Sequence, residues 1–522
     1  VAEANRSELG TTGLPILLNL LRVKPGEEPP DAEILEGVIR IFTDIVTPMR
    51  DDPDPLPDGH PVMVNTAALL KDHKSVELFL NLLQDSALWV RLTTIKLLTS
   101  LLYNQPDAME AAVLSCSAGL MRLTDVLEDS REEIRYELLL LLLKLTESNA
   151  EVQNSIAFQE GFDKLFNIMH REGVEDGSII VRDCLQIVAN MLVGNPLTCK
   201  LFTQGAGMRH VTHILRVLPD ASASAPTSPG GPPSWTPAKA ACVKLCLDVV
   251  GAVAGAGAGP TSTFEAPEGL LAALVRLGTT FPHVAVPARV QAFGVLGGLL
   301  RGNAPNQGAL QMLCVDVAAP TPGSGAGRRT PATPSPTPPA ATPTPVLSLI
   351  FQHALFCGGA NDVEAAAAFG VVEAYLEGNP GGQLALVGHV IAPPPAAALG
   401  LPDDAVPPAP PGQVVVHTLV RAAPSALLHT HDDQVITLFR ACRLFTAMLR
   451  GDVTAKELGL RIAVGQGAAP VFDQVCVHTA SALGDHGPQS ALVKVSLARL
   501  LVEWLTGCPA AVAHFLSKPA NL

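Results

Sequence analysis

The sequence predicts an all-α protein built as a solenoid of stacked helical repeats, and three observations carry that reading. First, the 522 residues contain 48% hydrophobic side chains but only 4% aromatic ones. That suits Leu-, Val- and Ala-filled helical cores better than a sandwich or barrel. Second, one pattern of residues recurs along the chain at offsets in the forties. Third, a glycine repeatedly opens a short amphipathic segment. At about 150 residues per domain the length allows three or four domains or one extended array, and the recurrence favours the array.

The recurrence is specific. Leu82-Leu83-Gln84-Asp85-Ser86, with Val90-Arg91, Leu97-Leu98 and Leu101 after it, returns 44 residues later as Val126-Leu127-Glu128-Asp129-Ser130, Ile134-Arg135, Leu141-Leu142 and Leu145. Val181-Arg182, Val188 and Leu192 give a further copy at an offset of 47. Periods of this size with helical spacing mark armadillo or HEAT units. Gly13, Gly119, Gly161 and Gly207 each open a run with apolar residues at i, i+3, i+6 and i+7, and this is the armadillo pattern. An Asp-Ser turn, which caps the amides of a new helix, then leads into a longer third helix. Aligned on their leucines, the third helices give two candidate groove columns: Arg40, Lys96, Leu140, Ile187 and Asp44, Ser100, Lys144, Met191.

The expected organisation is armadillo-like repeats over 1–217 with an acidic loop at 47–61, a Pro/Ser/Gly-rich linker at 218–237, and repeats again over 238–317. A Pro/Thr-rich insert at 318–345 holds nine prolines; a helical repeat at 346–392, a Pro-rich insert at 393–413 and truncated repeats at 414–522 follow. The inserts cannot bury enough apolar surface to offset ordering entropy, so they read as disordered loops, with Pro237, Pro345 and Pro411 marking the return to helix. The start at Val1 and the end just after a helical pattern read as a fragment of a longer chain.

Composition excludes several functions. With 35 basic against 49 acidic residues and a formal charge of −14, no cationic patch is available to displace counterions from nucleic acid. Ten cysteines are too sparse for a disulfide scaffold, and Cys184, Cys242, Cys246, Cys442 and Cys476 read as reduced core thiols. No apolar run exceeds the length of Leu138–Leu143, well under the ~18 to 20 residues of a membrane span.

Reactive constellations are missing as well. The chain has no Walker-type loop, His-Glu-x-x-His, Cys-x-x-Cys or Gly-x-Ser-x-Gly. His429-Thr430-His431-Asp432-Asp433 has metal-ligand chemistry but no distant partner set, and its acids sit where they would cap a helix from Gln434 to Leu449. Cys242 and Cys246 read as buried thiols, and the glycines of Gly323–Arg329 and Gly255–Pro260 as linker. The reading is of a protein without catalytic, cofactor or metal residues.

Several stretches resemble the armadillo-like head of the general vesicular transport factor family, the Golgi tethering proteins. They are Trp89-Val90-Arg91 through Ile95–Leu102, Leu127–Arg135, Asn149–Gln153 with Ala157-Phe158, Asp176–Val181 with Asp183-Cys184-Leu185, and Trp504–Leu516. The likeness is dense over about Ser75–Phe202 and Leu492–Leu522 and faint between them. The resemblance implies a cytoplasmic protein, peripheral on Golgi membranes and vesicles, that captures vesicles between endoplasmic reticulum and Golgi. Its implied partners are a Rab-family small GTPase, golgins and SNARE proteins, with homodimerisation through a coiled-coil tail that this chain lacks. Helical phase places Arg40, Lys96, Arg122, Asp125, Lys144, Lys164 and Asn167 off the apolar stripe as a candidate interaction surface, while Trp89 reads as a packing residue. The alternative is another armadillo adaptor such as a nuclear-import receptor, but the Trp and Asn ladder for basic peptides is missing from the two columns.

Overall fold

The computed structural model describes residues 2–22, 30–49, 52, 55–219, 235–256, 269–281, 283–317, 342–357, 362–388, 411–427, 432–464, 468–483 and 490–518. It is an armadillo-like array of helices in two compact units, Val1–Gly259 and Pro260–Leu522. The first unit opens with α1 (Ala2–Glu8), a π-helical turn, α2 (Leu14–Leu21) and α3 (Ala32–Val46). Triplets follow: α4 (Pro61–Leu70), α5 (His73–Leu82), α6 (Leu88–Asn104); α7 (Pro106–Ser115), α8 (Gly119–Val126), α9 (Glu132–Leu145); α10 (Ala150–Phe158), α11 (Gly161–Glu172), α12 (Ile179–Leu192); and α13 (Pro196–Gln204), α14 (Gly207–Val217), α15 (Pro237–Gly255).

In the second unit α16 (Leu270–Thr279) and α17 (Val286–Leu300) precede α18 (Ala304–Met312), α19 (Val346–Phe356) and α20 (Asp362–Leu376). Then come α21 (Pro380–Gly388), α22 (Pro411–Leu427), α23 (Asp432–Leu449); α24 (Val453–Gly459), α25 (Val471–Leu483), α26 (Ser490–Leu505); and α27 (Pro509–Leu516). One departure from an all-helical reading is a two-stranded antiparallel ladder, β1 (Cys314–Val317) with β2 (Thr342–Pro345), pairing Cys314 with Pro345 and Val315 with Thr344. Both strands are edges, so proline can occupy them without breaking a central ladder.

The glycine that opens a second helix has a steric cause. A Cβ on Gly161 would lie 2.7 Å from the carbonyl oxygen of Ile156, one on Gly119 2.7 Å from that of Val113, and one on Gly207 2.5 Å from the Phe202 ring. The chain reverses so tightly between first and second helices that a side chain there collides with the helix just completed. In the second unit this junction is where sequence 313–345 separates α18 from α19 and 389–410 separates α21 from α22.

A second junction, from a third helix into the next first helix, repeats a short motif across both units. Gly194, Gly302, Gly378 and Gly451 adopt φ of 74°, 63°, 66° and 72°, a left-handed geometry that costs other residues about 1–2 kcal/mol. Asn195, Asn303, Asn379 and Asp452 follow them, and each accepts an amide of the helix it precedes. Four residues after the cap, a polar side chain is buried among apolar ones: Gln307, Gln383 and Lys456 in the second unit, and Gln153 after the Asn149 cap in the first.

These buried side chains satisfy carbonyls that third helices leave without intrahelical partners. Gln153 Nε2 donates to Thr146 O at 2.9 Å, Gln383 Nε2 to Arg450 O at 2.9 Å, and Lys456 Nζ to Thr506 O at 2.8 Å. Gln307 Nε2 reaches Leu300 O (3.1 Å) at the end of α17 as well as Ala374 O (3.1 Å) and Glu377 O (2.9 Å) at the end of α20. Trp504 closes the last triplet. It is fully buried, donates Nε1 to Lys456 O at 3.0 Å, and meets Phe445 and Phe472 edge-on at centroid distances of 5.2 and 5.1 Å.

No single helix among the described residues is long and apolar enough to cross a membrane. Ala491–Leu505 and Pro509–Leu516 pass that test only as a pair, but they are bent by 119°, and α26 turns Val493, Leu497, Leu500 and Trp504 into the core.

Two substitutions test these junctions. Gly161→Ala is expected to cost about 1–3 kcal/mol, the range for overpacking, read as a lower urea midpoint. Gly13→Ala, whose nearest obstacle is the flexible tip of Leu9 at 3.3 Å, should cost less. Gln307→Leu preserves volume but strands buried carbonyls, with an expected loss of about 1–3 kcal/mol in the same measurement.

Candidate functional site

The third helices α3, α6, α9 and α12 pack side by side in sequence order. Their outward positions form a mixed apolar and cationic row. On α6, Trp89, Lys96 and Tyr103 lie seven residues apart and so share one face; all three are exposed, Trp89 by 58% and Tyr103 by 62%. Ile34, Arg40, Ile41 and Asp44 are exposed on α3, and Leu140 on α9 is 45% exposed. Lys144 links two helices: its Nζ sits 5.9 Å from the Tyr103 ring centroid and 2.6 Å from Glu147 Oε2. The hydrogen bond that Lys144 donates to the Glu147 carboxylate raises the Lys144 pKa. Thr47 and Ser100 hydroxyls meet at 3.0 Å between the end of α3 and α6.

The structure divides the seven surface residues expected from sequence. Arg40, Lys96 and Lys144 fall on the third-helix row, while Arg122, Asp125, Lys164 and Asn167 lie on the second helices α8 and α11. Within the second set Lys164 is largely consumed. Its ammonium is 3.3 Å from Asp125 Oδ1, 3.7 Å from Glu128 Oε2 and 3.4 Å from Thr124 O, and the side chain is only 11% exposed. Asn167 and Asp125 stay exposed and Arg122 half-buried.

Two expectations are corrected. Trp89 does not pack in the core: it is exposed on the same face of α6 as Lys96 and Tyr103. Ile187 and Met191 do not continue the groove columns: both are fully buried, and α12 exposes Arg182 and Gln186 instead. The α12 helix packs against the long α15 and buries a wide face that includes Asp183, Cys184, Leu185, Ile187 and Met191. Asn190 shows where its polar edge went, donating Nδ2 to Leu143 O at 3.2 Å and to Thr146 Oγ1 at 3.3 Å.

Beyond Asn167 the second helices carry a histidine group that sequence reading passed over. His170 Nε2 lies 2.9 Å from His210 Nδ1, His210 stacks on Phe166 at 4.6 Å, and the His213 ring is 6.1 Å from that of His170. Burial, and then the charge of His170, lowers the His210 pKa; Asp163 opposes this weakly, and Arg209 and His213 add to it. Spacing of i, i+3 on α14 was the available signal. His429 and His431 lie outside the described residues, as do residues 257–260 and Gly323–Arg329 of the glycine-rich stretches.

A repeat array of armadillo type presents an extended, exposed helical face. Residues 303–522 match the family described as Uso1 / p115 like vesicle tethering protein, head region, and they include the stretch 303–491 where the sequence likeness is faint. Golgin candidate 6 of Arabidopsis thaliana is 26% identical over the whole chain and 54% of its own length. General vesicular transport factor p115 of Bos taurus is 28% identical over 88% of the chain and 42% of its own length. The chain thus spans about half the length of the curated relatives it matches. A solved structure, "Crystal structure of Uso1-2", superposes with a TM-score of 0.67 at 19% identity, covering 99% of this chain and 76% of that one, which shows the shared fold. Residues 303–522 thus match a vesicle-tethering head-region family, and proteins of that kind align with the chain over most of its length.

A base whose folded pKa lies below its unfolded value stabilises the fold above the unfolded value, near 6.5, and that contribution is lost as pH falls below it. Thermal melts are therefore expected to show falling stability from about pH 6.5 downward, with His210→Gln flattening the slope. A slope unchanged by that substitution would contradict a role for the pair.

Proposed function

We propose that the chain is the head of a vesicle tether that acts between endoplasmic reticulum and Golgi and within the Golgi, by protein recognition and without chemistry of its own. The alignment with p115 and golgin candidate 6 over 88% and 100% of the chain supports the tethering role. The observation that carries a recognition mechanism is the exposed row on α3, α6 and α9. Trp89 and Tyr103 offer large apolar area with few rotatable bonds, and Lys96 and Arg40 frame it with charge; such anchors concentrate binding energy. The partners in this reading are a Rab-family GTPase, golgins and SNARE proteins, with the head peripheral on Golgi and vesicle membranes in the cytoplasm and dimerisation supplied by a coiled-coil tail.

Recruitment by a GTPase requires differential affinity for its two nucleotide states. Immobilised Golgi Rab locked with GTP is expected to retain the chain, and the GDP form is not. The double variant Trp89→Ala, Lys96→Glu should weaken retention by about tenfold or more. Equal retention by both nucleotide states, or full retention of the variant, contradicts recognition through this face.

A further inference from the structure

In the second unit three different metal-binding side chains converge outside the proposed recognition face. His353 lies in the last turn of α19, Cys357 directly follows that helix, and Glu364 stands in the first turn of α20. Glu364 Oε2 is 3.2 Å from His353 Nε2 and 3.0 Å from Cys357 Sγ, and one ligand atom from each residue falls within 4.8 Å of the others. Glu364 is 4% exposed, and His353 and Cys357 are half-buried.

The surrounding residues hold these donors in place. Arg289 of α17 takes the other carboxylate oxygen, Oε1, so the two oxygens are divided between a guanidinium and the His–Cys side. Arg440 of α23 donates to Leu355 O at 3.3 Å and Cys357 O at 3.0 Å, fixing the backbone that carries the thiol. The Phe293 ring lies 5.2 Å from the imidazole and limits its rotation. Such outer-shell partners usually accompany real ligand sets.

The geometry points to a zinc site formed by His353 Nε2, Cys357 Sγ and Glu364 Oε2, with water as the fourth ligand. Nitrogen, sulfur and oxygen donors together suit borderline-soft zinc and not the all-oxygen shells of calcium or magnesium. On binding, the Cys357 thiol loses its proton to solvent, the His353 proton now at Nε2 is exchanged through solvent for one at Nδ1 so that the Nε2 lone pair faces the metal, and the thiolate and Glu364 carboxylate balance the dication. The two hydrogen bonds that Glu364 Oε2 now accepts give way to one metal bond, while Arg289 stays on Oε1. The ion would tie the end of α19 to the start of α20 beside α17.

The test uses the whole chain, stripped with chelator and titrated with cobalt(II) and then zinc. One equivalent of cobalt is expected to give a thiolate-to-cobalt charge-transfer band that zinc displaces. Cys357→Ser should abolish the band and His353→Gln should weaken zinc binding about tenfold or more. A band that persists in Cys357→Ser overturns the site. If a variant fails to fold, alkylation of the wild-type chain mapped by mass spectrometry decides: zinc should slow modification of Cys357 at least about tenfold, and an unchanged rate overturns the site equally.

Discussion

The rest of the structure depends on how each third helix ends. The last carbonyls of a helix have no intrahelical partners, and burying them without donors costs about 1–3 kcal/mol each. Here the donor is built into the first helix of a repeat, four residues past its cap: Gln153, Gln307, Gln383 and Lys456. Because Gln307 reaches carbonyls at the ends of both α17 and α20, one side chain sets the spacing of two neighbouring third helices. Apolar packing alone would allow those helices to slide; directional hydrogen bonds in a dry interior do not.

A bond of the same kind reaches the exposed row: Asn104 Nδ2 at the end of α6 donates to Val46 O at the end of α3 at 2.7 Å. Third helices in fixed register place Trp89, Lys96 and Tyr103 of α6 beside Leu140 and Lys144 of α9, and the Lys144 contact with Tyr103 spans the gap. The same logic explains where the row stops. The α12 helix buries a wider stripe against α15, so Ile187 and Met191 belong to the core, and Arg182 and Gln186 emerge in their place. In the second unit, the buried Arg289–Glu364 pair holds α17 to α20 and thereby arranges the His353 and Cys357 side chains around one carboxylate oxygen.

Much of this was legible in the sequence. Leucine spacing and the glycines at 119, 161 and 207 revealed the repeat type, because a steric limit leaves a residue signature. The weaker second half also carries a signature, Gly-Asn/Asp with a polar residue four positions after the cap at 302, 378 and 451, but it is short and spaced irregularly by the inserts. Exposure of Trp89 was not legible, since helical phase depends on which neighbours a helix receives. The histidine pair at 170 and 210 and the ligand set at 353, 357 and 364 each join separate helices, and such convergence leaves no local pattern beyond an i, i+3 pair at 210 and 213 and an i, i+4 pair at 353 and 357.

Hydrogen exchange on the whole native chain in rising urea tests the central claim directly. If buried polar side chains bind neighbouring third helices into one cooperative body, amides of α17, α20 and α23 should converge on a single opening free energy. Replacing Gln307 by leucine should lower protection on α17 and α20 together. A staircase of independent values, or protection that falls on one of those two helices alone, would contradict the account.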